Sequence, residues 1–90
     1  MFELRFKESV KKDFRRIGRS AAARVMKAIR EKLLPDPKAA GKVLKGQDGE
    51  LWSFRAGDYR VLYVFDEKDV WVLVVRVGNR KDVYKTLPER

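Results

Sequence analysis

Arg55, Arg60, Arg76 and Arg80, with Tyr84 four positions after the last of them, are the residues whose types and spacing suit work on a phosphodiester. A guanidinium grips phosphate with a planar fork of donors, and it stays charged because its pKa lies above ~12. An aromatic ring offers a face to a base, and such stacking contributes about 1–3 kcal/mol per base. Side chains alternate along a strand, so Trp52 and Phe54 share one face while Leu51, Ser53 and Arg55 share the other. If that parity holds through Gly78-Asn79, then Arg60, Arg76 and Arg80 converge on one surface. Solvated sheet arginines with Tyr84 packed on the core edge suit the same pattern. Most of Trp52, Tyr59, Tyr63 and Trp71 are expected in the core or against helices, and none of them with chemistry.

The elements that position these residues follow from a change of period. Phe2, Leu4 and Phe6 alternate with Glu3 and Arg5, which predicts a short strand. Val10, Phe14 and Ile17 then recur at helical spacing opposite Lys11, Lys12, Arg15 and Arg16, so an amphipathic helix ends near Gly18. Ser20 is placed to cap a second helix, striped by Ala22, Val25, Met26, Ile29 and Leu33 and stopped by Pro35 and Pro37. The segment from Asp36 to Glu50, with Gly41, Gly46 and Gly49 among Lys38, Lys42 and Lys45, reads as a basic connecting loop with room for a helical turn. Leu51 to Ala56, Tyr59 to Phe65 and Val70 to Val77 are rich in aromatic and β-branched residues, with Gly57-Asp58 and Asp66–Asp69 between them. The expected fold is α+β: an N-terminal strand, a helical hairpin, then a three-stranded antiparallel meander. All lie in one sheet with the helices on one face.

Composition narrows the chemistry. The 90 residues suit one domain, 1–90, and 44% are hydrophobic, enough for a core. Twenty-two Lys and Arg against thirteen Asp and Glu give a net charge of +9, which suits a polyanionic partner: nucleic acid, an anionic membrane surface or an acidic protein. The basic face of the first helix also fits a membrane surface, but its apolar face is narrow. The absence of Cys and His excludes disulfides, thiolate nucleophiles, imidazole acid-base chemistry and the usual zinc ligand sets. No metal or cofactor is expected. The start of the chain lacks a secretory pattern, and the longest apolar run is far short of the ~20 residues that span a bilayer, so a cytoplasmic protein is expected.

The run Leu51-Trp-Ser-Phe-Arg-Ala-Gly-Asp-Tyr-Arg-Val-Leu-Tyr63, joined to Val74-Val-Arg-Val-Gly-Asn-Arg-Lys-Asp-Val-Tyr84, resembles the RelE/ParE superfamily of bacterial and archaeal toxins. The order of strand, helical hairpin, basic loop and meander agrees over nearly the whole chain. The resemblance to the RelE branch implies a type II toxin that enters the ribosomal A site and cuts messenger RNA without metal. It implies catalytic roles for Arg60, Arg80 and Tyr84, with Arg60 and Arg80 stabilising the transition state and Tyr84 stacking on the base. Arg55 and Arg76 would be supporting phosphate contacts. It also implies a cognate antitoxin protein, with the ribosome and messenger RNA as the other partners. Two lysines of the branch, nine and seven positions before the equivalent of Arg60, are here Leu51 and Ser53.

That departure bears on the proton chemistry. Cleavage needs the 2′-hydroxyl deprotonated, the phosphorane charge stabilised and the leaving 5′-oxygen protonated. Arginine suits the second task and is a poor base. Lys42, Lys45 and Lys81 are the amines that could serve, and the sequence does not choose among them. Two other readings stay open: a ParE-like inhibitor of DNA gyrase, and a non-catalytic RNA- or ribosome-binding protein.

Overall fold

The computed structural model describes residues 1–44 and 50–79. Strand β1 (Glu3–Phe6) leads into helices α1 (Val10–Ile17) and α2 (Arg19–Ala28), and α2 runs on into a π-helical turn over Ile29–Leu33. A short helix α3 (Pro37–Ala40) and a two-residue strand β2 (Lys42–Val43) follow, then β3 (Trp52–Ala56), β4 (Tyr59–Asp66) and β5 (Trp71–Asn79). The five strands form one sheet in the order β1-β5-β4-β3-β2, with β1 parallel to β5 and every other pairing antiparallel. Both edge strands are short, which limits unwanted pairing at the margins.

The expected periods built these elements. Val10, Phe14 and Ile17 turn inward from α1, which packs against β5, and Gly18 ends the helix at φ +94°, where a side chain would be strained. Val25, Ile29 and Leu33 are buried along the second stripe, and α2 packs against β3. On the sheet, Phe54, Ala56, Val61, Tyr63, Val72, Val74 and Val77 complete the same core, with Trp52 against it.

Three details depart from the pattern reading. Ser20 is not a cap: α2 begins at Arg19, with Gly18 before it and no side-chain capping bond. In the basic loop the expected helical turn forms as α3, because Asp36 accepts a hydrogen bond from the Ala39 amide (3.2 Å), but an unexpected strand follows it. Lys42 and Val43 then pair with Ser53 and Trp52, so β2 adds a fourth strand to the meander. Finally, β5 is bulged. Leu62 faces Arg76 and Tyr63 faces Val74, leaving Val75 as the extra residue, so Val74 and Val77 both point to the core.

Trp71 is the exception among the four aromatic residues expected mostly in the core or against helices. It lies at the start of β5, partly exposed, with the Arg5 guanidinium 5.3 Å from its ring centroid. Tyr63, Trp52 and Tyr59 do pack in or against the core.

Candidate nucleic-acid interface

Among the described residues, the helices cover one face of the sheet and leave the other open. On that open face Arg55 of β3 stands directly opposite Arg60 of β4, and Gly78 of β5 lies opposite Arg60 on its other side. Arg76, two residues before Gly78, is the diagonal neighbour of Arg60. The row below reads Lys42, Ser53, Leu62, Arg76 across four strands. Directly opposed side chains sit about 5 Å apart at Cβ, where like charges destabilise the pairing. Two arginines in that position therefore favour an anion between them.

The environment strengthens the case. Arg60 Nε is buried and has no hydrogen-bond partner among the described residues. A buried donor left unpaired costs about 1–3 kcal/mol or more, which a bound oxygen would recover. Arg55 Nε donates to the Gly57 carbonyl (3.2 Å), which sets its side chain against the β3–β4 turn. Gly57 holds φ +63° there, a turn conformation suited to glycine. Among the described residues no carboxylate forms an ion pair with Lys42, Arg55, Arg60 or Arg76. Leu62, fully buried between Ser53 and Arg76, supplies an apolar floor. A cleft of about 400 Å³ opens beside it, lined by Gly41, Lys42, Ser53, Arg55 and Arg60 with Ala40, Val43 and Leu44.

Arg60 and Arg76 thus share one surface as expected, Arg55 lies on the same open face, and Lys42 joins them through β2. Arg80, Lys81, Tyr84 and Lys45 lie outside the described residues. Among the described residues no group of three carboxylates is placed to hold a metal ion.

Two positioning residues had no signal in the pattern. Asp13, on the otherwise basic helix α1, is only 3% exposed, and its Oδ2 accepts the Val77 amide (3.0 Å). It thereby holds α1 to the bulge from which Arg76 emerges. Its second oxygen lies 3.6 Å from Arg16 Nη1. Tyr63, fully buried, donates its hydroxyl to the Pro37 carbonyl (2.6 Å) and ties α3 to the sheet. Burial first, then the nearby Asp36 carboxylate, push the Tyr63 hydroxyl well above the usual tyrosine range. A lone aspartate among lysines and a tyrosine in a hydrophobic strand look ordinary until the elements meet.

Residues 4–84, which take in helices α1, α2 and α3 and nearly all of the described sheet, match the family described as ParE toxin of type II toxin-antitoxin system. The chain belongs to this toxin family. Among curated relatives, the toxin RelG of Mycobacterium tuberculosis is 29% identical over 84 residues, covering 93% of this chain and 97% of the relative. The toxin RelE of the same organism is 32% identical over 79 residues, covering 88% and 81%. The toxin–antitoxin complex RelBE2 from that bacterium contains a chain of the same fold, with a TM-score of 0.80, 28% identity, and coverage of 88% of this chain and 98% of that one. This RelE/ParE-type toxin is an α+β protein with an open sheet, as that match requires.

Proposed function

We propose that this toxin cuts messenger RNA in the ribosomal A site, with the open sheet face gripping the phosphodiester at the scissile bond. The observation that carries the reading is the opposed pair Arg55 and Arg60, with Arg60 Nε buried and unpartnered beside a cleft. Arg60 binds the phosphate and stabilises its transition-state charge, and Arg55 and Arg76 hold the flanking backbone. Arg80 supports the leaving oxygen and Tyr84 stacks on a base, as the resemblance implies. Lys45 and Lys81 add phosphate contacts. Holding reactants in attack geometry gives effective molarities of about 10⁵–10⁸ M, against about 10²–10⁴-fold from acid-base catalysis. Positioning on the ribosome therefore contributes more to the rate than proton transfer does, and free RNA is cut slowly.

A cytoplasmic site of action and a cognate antitoxin belong to the same reading. Helices α1 and α2 carry Lys11, Lys12, Arg15, Arg16, Arg19, Arg24 and Lys27 against a single acid, Asp13. Between them and β1 lies an apolar groove of about 360 Å³ lined by Phe6, Val10, Phe14, Ala22, Ala23 and Met26. Phe6 is 40% exposed there. An amphipathic antitoxin helix with acidic flanks fits both the groove and its rim.

The test is to add the purified protein to ribosomes programmed with a defined messenger and to map 5′ ends, beside messenger alone. Cuts confined to the A-site codon and dependent on ribosomes are expected, with Arg80→Ala losing them while remaining folded. Because the matching family is that of ParE toxins, inhibition of DNA gyrase is the second reading. Loss of gyrase supercoiling with intact messenger would favour it.

A further inference from the structure

Among the described residues that line the cleft, Lys42 brings an amine, whose proton chemistry the arginines cannot supply. Lys42 reaches the cleft because the segment before it is pinned. The buried Tyr63 hydroxyl bonds the Pro37 carbonyl, and Gly41 lies so close beneath that a Cβ there would collide with the Tyr63 hydroxyl and stand 2.7 Å from the Ser53 carbonyl. Pairing with Ser53 then fixes Lys42 on the same face as Arg55 and Arg60, in the wall of the same cleft. Arginine keeps its proton at any working pH, whereas a lysine amine can release and accept one.

We propose that Lys42 is a catalytic residue, the proton acceptor for the attacking hydroxyl of an RNA substrate. This inference rests on the RNA-cleavage reading. The neutral Nζ takes the 2′-hydroxyl proton, the 2′-oxygen bonds to phosphorus, and the phosphorus–5′-oxygen bond breaks. The leaving oxygen takes a proton from water. The products are a 2′,3′-cyclic phosphate, a 5′-hydroxyl end and the ammonium form of Lys42, which returns its proton to the solvent hydroxide. The positive charge on Lys42 thus appears beside the phosphorane as the phosphorane forms.

Lys42→Arg keeps a cation in place but removes the acceptor, and Lys42→Ala removes both. Single-turnover cleavage on programmed ribosomes would be followed over about pH 6–9. The wild type is expected to speed up roughly tenfold per pH unit. Lys42→Arg should bind ribosomes as the wild type does and cut about 10²–10⁴-fold more slowly, its residual slope being that of hydroxide-driven attack. Partial rescue of Lys42→Ala by an added primary amine is expected. A Lys42→Arg protein that cuts at the wild-type rate, with the wild-type slope, overturns the assignment and leaves the cleavage reading intact. A wild type that cuts nothing overturns both.

Discussion

At the residue scale, Arg60 differs from its neighbours in having a buried donor to satisfy. Arg60→Ala should lower ribosome-dependent cleavage by about 10²–10³-fold, the range for removal of one transition-state donor. Arg60→Lys should recover only part, because a single ammonium cannot reproduce the fork. Single-turnover rates with unchanged circular dichroism would check this. Tyr63 acts on stability instead. Its hydroxyl titrates above the usual tyrosine range in the folded protein, through burial first and Asp36 second. The unfolded chain therefore releases that proton first as pH rises. The stabilisation is complete below about pH 10, the ordinary tyrosine value, and is lost progressively above it. Tyr63→Phe should remove this alkaline loss and, by leaving the Pro37 carbonyl without its donor, lower stability at neutral pH by about 1–3 kcal/mol. Urea unfolding at neutral and alkaline pH measures both effects.

At the element scale, the turn between β4 and β5 combines order with strain. Asp66 Oδ1 accepts the amides of Lys68 (2.8 Å) and Asp69 (3.0 Å), an arrangement that closes the turn. Val70 completes it at φ +59°, a left-handed conformation that a β-branched side chain disfavours. Asparagine tolerates that region, so Val70→Asn should raise the free energy of unfolding by about 1 kcal/mol. A lower urea midpoint would mean that Val70 contributes more by packing than it loses in strain. The junction of α1 and β5 behaves oppositely. Asp13→Ala leaves the buried Val77 amide without its acceptor, and a loss of about 1–3 kcal/mol is expected. Asp13→Asn keeps an oxygen in place and should recover most of it in the same measurement.

At the scale of the whole molecule, a net charge of +9 is divided between two surfaces of different character. The sheet face places cations around a cleft, whereas the helical face surrounds an apolar groove with them. Phosphate binding releases counterions, so ribosome affinity should fall steeply and linearly on a log–log plot against salt. Antitoxin binding should depend on the groove as well. Ala23 is exposed on α2 and lines it, so Ala23→Glu should weaken antitoxin binding by about tenfold, or about 1.4 kcal/mol, while leaving messenger cleavage unchanged. Titration calorimetry beside the cleavage assay separates the two surfaces. A matching loss of cleavage would show that they are not independent.

Much of this arrangement is legible before folding because it rests on local periodicity. Phe14 and Ile17 on one helical face, and Phe54 opposite Arg55 across a strand, follow from repeats of 3.6 and 2 that need no knowledge of the rest of the chain. The same alternation placed Arg55 and Arg60 on the open face, whereas Arg76 reaches it beyond Val72 and Val74 only through the bulge at Val75. The motif around Gly57 and Gly78 carried the family. The extra strand β2 was not legible, since two residues, Lys42 and Val43, form a strand only when Ser53 and Trp52 stand beside them. Nor was the bulge at Val75, which a uniform run of valines conceals. Asp13 on the Val77 amide and Tyr63 on the Pro37 carbonyl join residues 64 and 26 positions apart. Such contacts depend on where whole elements dock, and docking is decided by burial of the shared core, which no local pattern specifies.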